Sequence, residues 1–129
     1  MKIIATEAAP TPQGHYSQAI AHGGLVFVSM QLPGSTDRPV EPTAEIEEQA
    51  ESVLRNVQEI LRAANSDLSR ALSITIYLAS VSDWARVNEI YKTVLGDHRP
   101  ARGVVPTGTL HRGFKIGVMA VAAALEPDA

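Results

Sequence analysis

The chemistry this chain can perform is bounded first by what it lacks. It has no cysteine, which removes thiol nucleophiles, disulfides and thiolate metal sites together. Its four histidines, His15, His22, His98 and His111, form neither an H-x-H nor an H-E-x-x-H pattern, so they read as surface or loop residues and no metal site is expected. No G-x-S-x-G serine, Walker loop or G-x-G-x-x-G fingerprint occurs. Basic side chains are scattered among acidic ones, with only His98-Arg99, Arg102 and His111-Arg112 near the late loops. An arginine offers a planar, permanently charged fork that can hold a carboxylate through two parallel hydrogen bonds. Taken alone, Arg102 reads as a structural arginine pairing a carboxylate across a subunit interface.

The elements that must position these groups follow from periodicity. Leu25 to Val28, preceded by Gly23-Gly24, is an apolar strand, and Gly14 to Ala21 is a candidate partner across the glycine turn. Pro33 to Pro42 is rich in breakers and reads as a surface loop. Ile46, Ala50, Val53, Leu54, Val57, Leu61 and Ala64 recur at helical spacing, with Thr43 as N-cap and Asn65 as the left-handed terminator. Leu72, Ile74, Ile76 and Leu78 alternate with Ser73, Thr75 and Tyr77, as in a strand with one face on the helices. A second helix is expected from about Asp83 to Leu95, its inner side formed by Trp84, Val87, Ile90, Tyr91, Val94 and Leu95. Ser82 or Asp83 caps it and Gly96 ends it. Ala101 to Pro106 is extended, Gly108 to Gly113 turns, and a last strand runs from Lys115 to about Ala124.

The predicted fold is α+β: a two-layer sandwich, with a mixed β-sheet carrying two helices on one face. At 129 residues, one domain spanning 1–129 is expected, large enough to bury roughly two-thirds of its unfolded surface. With 45% hydrophobic and 19% charged residues, the composition is globular. A net charge of −3 argues against a nucleic-acid partner. The apolar stretch Val118 to Leu125 is far short of the roughly 20 residues that span a bilayer. The acidic start, with Glu7 where a signal peptide needs its apolar core, leads us to expect a soluble, cytoplasmic chain. In the last strand Ile116, Val118, Ala120 and Ala122 should meet the helices, yet Gly117, Met119, Val121 and Ala123 are apolar too. A sheet face open to water should be polar, so self-association is expected to cover it.

Five stretches, in order, resemble the RidA (YjgF) family: Ile4-Ala5-Thr6-Glu7-Ala8-Ala9-Pro10, Gly14-His15-Tyr16-Ser17-Gln18-Ala19, Val28-Ser29-Met30-Gln31-Leu32-Pro33, Val87-Asn88-Glu89-Ile90-Tyr91 and Arg99-Pro100-Ala101-Arg102. The resemblance implies a chorismate-mutase-like subunit assembling as a homotrimer, with clefts between subunits. It also implies hydrolysis of reactive enamines and imines, such as 2-aminoacrylate, to 2-keto acids and ammonia, without cofactor or metal. Arg102 would anchor the substrate carboxylate, and the Val104 backbone carbonyl would help hold the attacking water. Tyr16 and Ser29 would line the cleft, with Asn88 in support.

The chain also departs from the family pattern. Ile116-Gly117-Val118-Met119 stands where an I-E-[IM] motif is followed by a second acidic residue, so Met119 replaces the glutamate that assists water. A thioether cannot take that proton at neutral pH. Met30 replaces a glycine in the cleft, and the loop Thr107 to Gly113 differs as well. His15 or His111 is a candidate substitute base. Met30 and Met119 otherwise read as core or interface filler, or as an apolar cleft selecting a larger or less polar substrate. The alternative is a trimer that binds small carboxylate metabolites without turning them over. The ribonuclease and translation-inhibitor activities described for some relatives rank third on charge.

Overall fold

Two glycines at positive φ, Gly23 (61°) and Gly24 (81°), allow a two-residue hairpin that residues with a Cβ would resist. They join β2 (Ala19–His22) to β3 (Leu25–Gln31). The computed structural model describes residues 1–125. Its sheet has six strands in the order β1-β2-β3-β6-β4-β5, with β1 Lys2–Ile4, β4 Ala71–Leu78, β5 Ala101–Pro106 and β6 Ile116–Ala123. The β4–β5 pair is parallel and the remaining pairs are antiparallel, so the sheet is mixed as expected. A parallel pair needs a crossover; α2 (Trp84–Leu95) supplies it, beside the longer α1 (Ile46–Ala63).

The core lies between this sheet and the helices. From α1, Ile46, Ala50, Val53, Leu54, Val57 and Leu61 are buried, as their spacing predicts. They meet Ile74, Ile76 and Leu78 of β4, and Ile116, Val118, Ala120 and Ala122 of β6. Leu72 is an exception. Ala71 pairs with Ala122 but Ser73 with Val121, so one extra residue bulges out, and Leu72 is 48% exposed instead of facing the helices. Trp84 and Val94 are also partly exposed, leaving Val87, Tyr91 and Leu95 as the buried residues of α2.

The caps differ in part from expectation. Asn65 has φ 63° and takes the left-handed place after α1. Thr43 does not cap that helix: its N-cap is Glu45, with no side-chain cap bond. The fully buried Gln49 secures this corner instead. Its Nε2 donates to the carbonyls of Pro42 and Ala44, and its Oε1 accepts from the Lys115 N–H. Asn56 does the same for the Pro33–Pro42 loop, donating to the carbonyls of Leu32 and Gly34. Of the Gly14–Ala21 candidate strand, only Ala19 to Ala21 fall in β2. The preceding residues bend, and Gln18 is buried holding Thr6 and Pro10. Arg86 clamps Glu47 with two hydrogen bonds and Glu45 with a third, joining α2 to the start of α1. These contacts hold the Glu47 carboxyl below its ordinary pKa.

Candidate functional site

Arg102 stands on β5, the edge strand, opposite Ile74 of β4, and therefore on the helix-bearing side. Residues 84, 88 and 91 fall on one stripe of α2, and that stripe meets the arginine. Arg102 Nη1 donates to Asn88 Oδ1 at 2.8 Å. Its guanidinium carbon lies 4.8 Å from the Tyr91 ring centroid and 5.7 Å from that of Trp84, so two aromatic faces support the cation. Among the described residues no carboxylate comes within 4.0 Å of it, in contrast to the fully engaged Arg86. A guanidinium carries five N–H donors, and Asn88 is the one hydrogen-bond partner seen here. Val104, opposite Ile76 on the same side, is half-buried against the core.

Tyr91 is buried, and its hydroxyl has no hydrogen-bond partner among the described residues. Burial pushes its pKa up, and the positive charge of Arg102 offsets part of that. From periodicity, Trp84 and Tyr91 read only as packing residues of the helix. The signal for their second role is present in the chain: Trp84, Asn88 and Tyr91 are spaced i, i+4 and i+7, which aligns them on one helical face.

The other expected site residues gather elsewhere. In β3, Val28 pairs with Ala120 but Gln31 with Val118, so Ser29 and Met30 both oppose Met119 in a β-bulge. Ser29 Oγ donates to the Ser17 carbonyl at 2.6 Å, and its N–H donates to the Gln18 carbonyl. These bonds dock the segment after the exposed Tyr16 onto the bulge. Met119 pairs with Thr75, its Sδ accepts from the Tyr77 hydroxyl at 3.3 Å, and it is 39% exposed. Thr75 and Ile74 are consecutive residues of one strand and point to opposite faces. One chain therefore places Met119, Ser29 and Met30 on the open face of the sheet, and Arg102, Asn88 and Val104 on the helix side of its edge.

His15 and His111 are exposed, and neither joins the hydrogen bonds around Arg102 or Ser29. His111 opens a short 3-10 turn, His111–Gly113, in which Arg112 adopts φ 62°. The turn ends beside Pro42. The open face carries Phe27, Val105 and Met119 as exposed apolar side chains. No helix among the described residues is long and apolar enough to cross a membrane.

Comparison with known proteins agrees with this architecture. Residues 6–124 match the family described as Endoribonuclease L-PSP. A "RutC family protein" of Pyrococcus abyssi is 36% identical over 94% of this chain and 95% of its own. The "2-iminobutanoate/2-iminopropanoate deaminase" of Rattus norvegicus is 35% identical over 94% and 88%. The crystal structure of E. coli TdcF with bound serine superposes with a TM-score of 0.89 at 32% identity, covering 95% of this chain and 98% of that one. The chain belongs to the Endoribonuclease L-PSP family, the RidA (YjgF) family that its sequence motifs resemble.

Proposed function

We propose that this protein hydrolyses 2-enamino and 2-imino acids to 2-keto acids and ammonia, in clefts between the subunits of a homotrimer. The observation that carries the proposal is the state of Arg102: braced by Asn88, stacked on Tyr91 and Trp84, and without a carboxylate partner among the described residues of its own chain. Such a fork is prepared for a ligand carboxylate. The relatives named as imine deaminases supply the reaction class.

In this scheme the enamine first tautomerises to the imine, its carbon gaining a proton as its nitrogen gives one up. Arg102 holds the carboxylate and so fixes the adjacent C=N carbon for attack by water, which the Val104 carbonyl helps to place. Water adds its oxygen to carbon and its protons pass to nitrogen. The C–N bond then breaks to leave a 2-keto acid and ammonia. The sum is hydrolysis with no net electron transfer, so its chemistry calls for no redox cofactor. Met119 cannot take the proton from water, so positioning carries more of the rate than general-base help.

Two observations support clefts between subunits. The expected site residues are divided between two faces of one sheet, and the open face is lined with apolar side chains, Phe27 being 47% exposed. The reading carries a cytoplasmic setting with it, to which a cysteine-free chain is suited. The test is ammonia release from freshly generated 2-iminobutanoate. Acceleration over buffer, lost in Arg102→Ala, is the expected result. Equal rates with and without the protein would overturn the assignment.

A further inference from the structure

The bulge that turns Ser29 and Met30 toward Met119 also lays the Met30 side chain across Gly117. A Cβ built on Gly117 would stand 2.9 Å from Met30 Sδ and 3.2 Å from its Cγ. Real Cβ atoms essentially never show the first of these distances, so the flexible Met30 side chain occupies space that a Cβ at 117 would need. The glycine is not there for its backbone freedom, because its φ lies outside the left-handed region. The two positions are thus coupled through volume: a side chain at 117 requires Met30 to move.

Met30 is covered on this side only in part, being half-buried. Along the same face lie Met119, two residues beyond Gly117, and Tyr77, which pairs with Gly117 and whose hydroxyl meets the Met119 sulfur. Two flexible, polarisable thioethers and a ring edge make a surface suited to an apolar chain, and none of these groups is charged. A β-bulge commonly re-aims a side chain beside an active site.

We propose that Met30, seated on Gly117, is a specificity-determining residue: it forms the wall against which the substrate's side chain lies. This wall favours 2-imino acids with an unbranched apolar side chain over 2-iminopropanoate. The inference rests on the imine-hydrolysis assignment of the same site, and it names the substrate class.

The experiment has two readouts. Calorimetry with pyruvate, 2-oxobutanoate and 2-oxohexanoate measures binding of product-like keto acids without requiring turnover. The wild type is expected to bind 2-oxohexanoate at least about tenfold more tightly than pyruvate, and Met30→Ala should erase most of that ratio. Thermal melts of Gly117→Ala, Met30→Ala and the double variant measure the coupling. The Tm shift caused by Gly117→Ala should differ between the wild-type and Met30→Ala backgrounds. A keto-acid ratio near one in the wild type, a ratio unaffected by Met30→Ala, no keto-acid binding at all, or additive melting shifts would each overturn the proposal. Selective keto-acid binding without imine turnover would instead remove the reaction and leave the wall standing.

Discussion

Asn88 Oδ1 accepts from Arg102 Nη1 at 2.8 Å, so a residue of α2 sets the direction of the guanidinium on β5. The bond ties the crossover helix to the edge strand it precedes, and it acts on the residue expected to hold substrate. Hydrogen bonds to charged groups contribute about 1.5–3 kcal/mol. Asn88→Ala should therefore weaken 2-keto acid binding by about tenfold or more, and Arg102→Ala should do so far more strongly. Calorimetry checks both. An Asn88→Ala protein with wild-type affinity would show that the arginine needs no such brace.

Tyr91 supports the same cation from below. Its folded pKa is raised above the ordinary 10.0, mainly by burial. The folded state thus retains a proton that the unfolded state loses, and the stability this contributes declines as pH rises above about 10 toward the folded value. Ultraviolet titration should show one tyrosine ionising late, and Tyr91→Phe should abolish that step while keeping the ring under Arg102. Tyr91→Leu, which removes the ring, should also weaken carboxylate binding. Identical titration curves for wild type and Tyr91→Phe would contradict this account.

Phe27 lies on the open face of the sheet, between Ile20 of β2 and Val121 of β6. A glutamate there would carry charge into the proposed subunit contact at little cost to the monomer's own core. Light scattering at micromolar concentration should report a trimer for the wild type and a monomer for Phe27→Glu, with the far-ultraviolet circular dichroism retained. Because the site residues are divided between two faces, that monomer should lose imine turnover. A fully active monomer would remove the intersubunit cleft.

Met119 already accepts a hydrogen bond from Tyr77. In Met119→Glu the same hydroxyl would hold a carboxylate capable of taking the proton from water. General-base help is worth about 10²–10⁴ in rate, so the variant should gain at least about tenfold in kcat. Its pH–rate profile should also acquire an acid limb that the wild type lacks. A gain in rate without that limb would assign the effect to something other than proton transfer.

Much of this is legible along the chain. The α1 stripe, the alternation in β4 and the glycine hairpin follow from periods of 3.6 and 2 and from positive φ, all local properties, and the family motifs name the expected anchor. Leu72 departs from its expected face because a bulge is a property of strand pairing, and nothing in the alternation of its own strand announces it. Thr43 does not act as a cap because the buried amide of Gln49 holds that corner from within the helix.

Sequence by itself determined which residue types were available for chemistry: no thiol, an arginine after Pro100-Ala101, and a thioether where an acid would serve. Tertiary structure decided which of them meet. Pairing of β3 with β6 set Ser29 and Met30 against Met119, and laid Met30 over Gly117. Pairing of β4 with β5 turned Arg102 to the other face, onto Asn88 and two aromatic rings. Register between distant strands comes from the packing of the whole core, and a shift of one residue reverses every side chain.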